Sequence, residues 1–222
     1  MSFNDFDLYI GYLFLLINLI LYSKSYRKES VAFRTIVIYL LITFIIQITA
    51  HVFSNKGNNN LFLSHYYFIG QFALLSAFYY QILKNSIHLT VIKMIFGIVL
   101  ITLSVQFFIN PKLYWKFSLL EVVICGIPLV LYALFYFYES FGVKHKKYLL
   151  LNAGVFFYLL SNTLIFTTGN YLLLSNSSLV SSIYALNAYL YIVFQVFIFI
   201  EWYQNFRETA IISTDDTDEF LK

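Results

Sequence analysis

The sequence predicts an all-α, polytopic integral membrane protein: a bundle of seven transmembrane helices, N-terminus outside and C-terminus in the cytoplasm. Three observations carry that expectation. Hydrophobic residues make up 60% of the 222-residue chain and charged residues 11%, against about 25% charged in an ordinary globular domain. Apolar runs recur at close to the ~20 residues that an α-helix needs to cross a ~30 Å hydrocarbon core. The lysines and arginines also segregate. With seven spans, eleven of the 14 fall on one side, in the 24–34 and 144–147 loops, at Lys84 and Lys93, and at Arg207 and Lys222. Only Lys56, Lys112 and Lys116 fall on the other. The positive-inside rule makes the basic side cytoplasmic, and an even number of spans would mix the two sets. The net charge of +3 therefore reports topology rather than nucleic-acid binding.

The first span, 8–22, follows Asp5 and Asp7 rather than basic residues and precedes no small-residue cleavage site, so it reads as a retained helix and not a signal peptide. The second, 35–53, carries Gln47 and His51 four residues apart and so on one face. An Asn-rich loop, 54–60, leads into the third, 61–83, which carries His65 and, about 9 Å deeper at 1.5 Å per residue, Gln71. The fourth, 91–109, holds Gln106. The fifth, 117–138, holds Glu121, the only cysteine (Cys125) and Pro128. The sixth, 148–168, brings Asn162 and Thr167, and the seventh, 180–203, brings Tyr184 and Asn187. Residues 1–208 form one transmembrane domain, and 209–222, with Asp215, Asp216, Asp218 and Glu219, read as a flexible acidic cytoplasmic tail.

Tyrosine and tryptophan cluster where the headgroup layers should lie. Tyr9, Tyr12, Tyr66, Tyr67, Tyr114 and Trp115 mark the outer layer; Tyr22, Tyr26, Tyr79, Tyr80, Tyr136, Tyr138, Trp202 and Tyr203 mark the inner one. Part of the 21% aromatic content is attributable to AT-rich coding, so an aromatic stripe is not read as a cofactor box.

Polar groups inside the spans carry the functional signal, because each is costly in lipid unless paired or wet. Gln47, His51, His65, Gln71, Gln106, Glu121, Asn162 and Asn187 all fall in the outer half and form the candidate ligand-binding set. They suggest an outward-facing polar cavity centred on Glu121, His51, His65, Gln71 and Asn187. The plainer reading puts the histidines and Glu121 among headgroups and makes the amides interhelical hydrogen bonds worth about 0.6–2 kcal/mol. Two imidazoles and a carboxylate suit zinc, but nothing in their spacing requires a metal, and neither metal nor cofactor is expected. In the inner half, Asn18, Gln81, Asn152 and Glu201 look dispersed, and Glu201 reads as an interfacial carboxylate near Arg207.

Several classes are demoted. The last span has no lysine for a retinal Schiff base, no histidine follows His145 for the late HxxxH of zinc-dependent lipid amidases, and no Pro-Gln pair marks a PQ-loop carrier. With 8 glycines and 2 prolines, the chain lacks the broken helices of alternating-access transporters.

Residues 59–80, NNLFLSHYYFIGQFALLSAFYY, resemble a family of small uncharacterised multi-pass membrane proteins of Bacteroidota, in which an Asn-rich outer loop precedes a helix of the form HxYxxxEFxxLSxFY. The run LLSNTLIFTTGNY and the closing helix with Asn187 and Gln195 are similar to the same family. Gln71 stands where the family's glutamate is expected, which removes an acid from that position. The resemblance implies a bacterial seven-helix protein and admits a sensory association with histidine kinases.

The expected function is a non-enzymatic sensor or receptor-like module of the bacterial inner membrane. It would touch membrane lipids, take a small-molecule or lipid ligand, and pass a signal to a separate cytoplasmic partner, with no nucleic acid involved. The alternatives are a lipid-acting enzyme using Glu121 with His51 or His65, a small-solute carrier, and a pore or assembly subunit.

Overall fold

A computed structural model of the chain describes residues 5–172 and 177–208, with side chains over 8–169 and 185–208. The acidic tail and part of the 169–179 loop lie outside the described residues, as does the Tyr184 side chain. The described chain forms α1 (Asp5–Lys24), α2 (Val31–Asn55), α3 (Phe62–Ile82), α4 (Ser86–Ile109), a 3-10 helix (Pro111–Trp115), α5 (Leu119–Ser140), α6 (Leu149–Leu172) and α7 (Ser177–Asn205). Each apolar run is thus a helix.

Local chemistry sets their ends. Ser30 caps α2 by accepting the Phe33 N–H at 3.3 Å, and Asn85 caps α4 by accepting that of Ile87 at 2.9 Å. Gly57, at φ +71°, ends α2 in a Schellman turn, with Asn58 N–H on the Phe53 carbonyl and Gly57 N–H on that of Ser54. A side chain there would have to enter the left-handed region that glycine occupies freely.

Five helices (α2, α4, α5, and the Leu149–Gly169 and Ala185–Asn205 stretches of α6 and α7) are long and apolar enough to cross a membrane, and the Leu8–Lys24 stretch of α1 is apolar but shorter. This is the fold of a membrane-embedded protein. In α3 the apolar run is diluted by His65, Gln71, Gln81 and tyrosines, and it is on its interior face that His65, Gln71, Ser76 and Tyr79 are buried.

Consecutive helices run antiparallel, and six of them close a ring. α1 packs on α2, α2 on α3, α3 on α5, α5 on α6, α6 on α7, and α7 back on α1. α4 stands outside the ring against α3, α5 and the 3-10 helix. One face of the bundle carries the start of α1, the α2–α3 loop and the 3-10 helix (the N-terminal face); the other carries the end of α7 (the C-terminal face).

Polarity is inverted relative to a water-soluble bundle. Ile98, Ile101 and Leu164 are 60% or more exposed, whereas Asn18, Glu121, Asn152, Gln195 and Glu201 are fully buried. Such an exterior is stable in lipid, and the interior amides then join helices. Asn18 Nδ2 on α1 donates to both the carbonyl and the side-chain oxygen of Gln195 on α7, each at 2.9 Å. Asn152 on α6 accepts from Tyr79 at 2.7 Å and donates to the Ala133 carbonyl at 3.2 Å, clasping α3, α5 and α6.

Two sequence expectations change at the C-terminal face. Tyr22, Tyr79 and Tyr136 are buried in the bundle rather than lying in a headgroup belt, because their hydroxyls find partners on neighbouring elements: the Ile198 carbonyl, Asn152 and the Lys147 carbonyl. Glu201 is not an interfacial partner of Arg207. Its carboxylate accepts the N–H groups of Tyr148, Leu150 and Leu151, where α6 begins, and the Asn205 side chain. It supplies the negative charge that a helix N-terminus favours, and it holds Tyr148 in the left-handed region at φ 69°.

Candidate functional site

A cavity of about 400 Å³ lies inside the ring toward the N-terminal face, with Asn60 and Leu61 among its lining. Its walls are mainly aromatic and aliphatic: Tyr12 from α1, Tyr67 and Phe68 from α3, Phe117 ahead of α5, Tyr158 and Phe166 from α6, and Tyr191 from α7. The Tyr67 and Tyr158 hydroxyls meet at 3.3 Å, and Gln71 donates to the buried Tyr39 hydroxyl at 3.1 Å.

Among the described residues no charged side chain lines this cavity, but Gln47, Asn162 and Asn187 do. Gln47 Oε1, Asn162 Oδ1 and Asn187 Oδ1 are buried without a close hydrogen-bond partner, while the Tyr191 hydroxyl faces Gln47 and Gln195. An unmatched buried polar atom costs on the order of 1–3 kcal/mol, so an occupant that hydrogen-bonds to these amides would recover part of that cost. Each amide can offer its oxygen or, turned over, its NH₂.

The predicted cluster therefore divides. Gln47, Asn162 and Asn187 share the cavity; His65 and Glu121 form a separate pair; Gln71, Gln106 and His51 each go elsewhere. His65 Nδ1 lies 2.6 Å from Glu121 Oε2, and its Nε2 lies 3.1 Å from the Tyr114 carbonyl. The carbonyl can only accept, so Nε2 carries a proton. A second proton must then sit between Nδ1 and the carboxyl oxygen, since two lone pairs at 2.6 Å would repel. The pair is therefore neutral overall, as imidazolium with carboxylate or as imidazole with carboxylic acid. Glu121 lies in the first turn of α5, where the helix terminus favours negative charge. Its second oxygen is buried and unpartnered.

No family model, curated protein or solved structure matches this chain. The site is therefore read on its own chemistry.

His51 does not join His65 and Glu121. It sits between the Tyr9 and Tyr12 rings, 5.5 and 5.8 Å away centre to centre, with Asn55 Nδ2 3.0 Å from its Nε2. Gln106 donates to Ser118 at 3.0 Å. Among the described residues, no three His, Cys, Asp or Glu side chains converge to hold a metal ion. The residues that sequence reasoning missed are the cavity's tyrosines. Tyr158 and Tyr191 sit well inside their helices, where a hydroxyl needs a protein or ligand partner. That mid-span position was the available signal.

Proposed function

We propose that the chain is a non-enzymatic, seven-span sensor of the bacterial inner membrane whose ring cavity binds a neutral, mostly apolar small molecule bearing hydrogen-bonding groups. The observation that carries this reading is the uncharged aromatic cavity with three amide side chains, Gln47, Asn162 and Asn187, in its lining. Its volume falls in the usual range for small-ligand sites, and convergent polar groups in an apolar pocket fix a ligand's orientation. The absence of charge from the described lining argues against an ionic ligand, because a charged group there would be desolvated without a partner. In this proposal the N-terminal face is outside and the C-terminal face cytoplasmic, as the distribution of basic residues supports. The signal then passes to a separate cytoplasmic protein at the C-terminal face.

The test is to purify the full chain from membranes and identify co-purifying small molecules by mass spectrometry. The expected result is one neutral compound at near-stoichiometric amount, lost from Asn162→Leu and Gln47→Leu proteins that keep their helical content. An empty wild-type protein, or equal retention by both variants, overturns the reading. An enzymatic alternative draws on the His65–Glu121 pair as acid and base. Neither residue lines the cavity, which favours binding over chemistry.

A further inference from the structure

A second cavity, of about 530 Å³, opens on the C-terminal face between the start of α2, the end of α3, and the α5–α6 loop. Three lysines line it, Lys84, Lys146 and Lys147, together with Ser30, Gln81 and Tyr148, and no carboxylate does among the described residues. The nearby acids are already engaged. Both oxygens of Glu139 are held, by the Lys84 and Asn85 N–H groups at 2.9 and 3.2 Å and by His88 at 2.7 Å. Glu29 reaches Lys147 at 3.8 Å. Among the described residues, no carboxylate lies within salt-bridge distance of Lys84 or Lys146.

Lys146 is the most enclosed of the three, its ammonium 4.2 Å from the centre of the Tyr136 ring. Burial holds it below the ordinary lysine value, with Lys84 adding to that effect and Glu139 opposing it. The start of α2, at Val31 and Ala32, also lines the cavity, and the first N–H groups of a helix lack intrahelical partners. Val31, also in the lining, is 63% exposed.

We infer that this cavity is a binding site for a phosphate group, and specifically for the headgroup phosphate of an anionic lipid. Lys84 and Lys146, with Lys147 beside them shared with Glu29, supply charge and donors for phosphate oxygens. The exposed Val31 beside them supplies a surface for an acyl chain, which a free phosphate would not use. The inference is independent of the ligand proposed for the ring cavity.

The test uses the full-length protein in detergent and native mass spectrometry, with phosphatidylglycerol and phosphatidylcholine of identical acyl chains and, separately, inorganic phosphate. Wild-type protein should retain phosphatidylglycerol preferentially. Lys84→Gln and Lys146→Gln should each cut that preference about fivefold, the effect of one lysine near an anionic surface, whereas Lys144→Gln, exposed and off the cavity, should leave it unchanged. Two single variants are used, each with its unfolding midpoint checked, so that a folding defect in one does not mask the result. Equal retention of both lipids overturns the inference, as does a preference untouched by both cavity variants. Binding of inorganic phosphate without preference between lipids overturns the assignment to lipid.

Discussion

Amides inside this bundle differ in how fully they are matched, and substitution should separate them. Asn152 is fully matched, so Asn152→Leu leaves the Tyr79 hydroxyl without its acceptor. A loss of about 1–3 kcal/mol is expected in detergent unfolding. Asn162 and Gln47 line the cavity, and each has a buried oxygen without a close partner. Their leucine variants should match or exceed wild-type stability in ligand-free protein while losing ligand, the trade-off expected of a binding site. The His65–Glu121 pair gives a third pattern. His65→Ala strands a buried carboxyl group and should cost about 3–5 kcal/mol. Glu121→Gln should cost much less, because a glutamine N–H can donate to Nδ1 of a neutral imidazole; unfolding midpoints of both variants check this. The amides of the cavity were legible in the sequence because polar side chains are scarce in the spans. The split between cavity and buried pair was not. Which neighbour His65 meets depends on the 3-10 helix bringing the Tyr114 carbonyl to its far nitrogen, a contact between residues 49 apart in sequence.

At the scale of elements, close approach between helices depends on a few glycines. A Cβ at Gly154 would lie 2.8 Å from Phe197 Cβ and 3.0 Å from Phe194 Cδ2, both on α7, whereas one at Gly97 on α4 meets nothing within 4 Å. Gly154→Ala should therefore destabilise by about 1–3 kcal/mol through overpacking. Gly97→Ala should be neutral or gain up to about 1 kcal/mol from helix propensity. Chemical unfolding in mixed micelles would read both, and equal effects would count against the α6–α7 packing described above. The helices were legible as apolar runs, five of them long and apolar enough to cross a bilayer. The 3-10 helix at Pro111–Trp115 was not, being a short turn with no periodic signal. Nor was the difference between α3 and α4: both read as spans, yet α3 joins the ring and α4 stands outside it. That choice rests on which faces meet, and a single hydrophobic run does not record it.

For the molecule as a whole, the proposed orientation has a direct check. Cys125 is 2% exposed, so thiol reagents should leave the native chain nearly unlabelled. Asn58→Cys should react with an impermeant maleimide in intact cells, and Lys144→Cys only after the membrane is opened; the reverse pattern would invert the topology. The closed ring also bears on how the protein is made. Asn18 on the first helix finds its amide partner in Gln195 on the last, 177 residues further along the chain. At about 5–20 residues per second of translation, the first helix waits on the order of 10–35 s with that group unmatched. During this interval α1, the shortest apolar stretch, depends on lipid and the insertion machinery. Nascent chains halted before Gln195 should therefore hold α1 loosely and be open to quality-control proteolysis, while those that extend past it should resist.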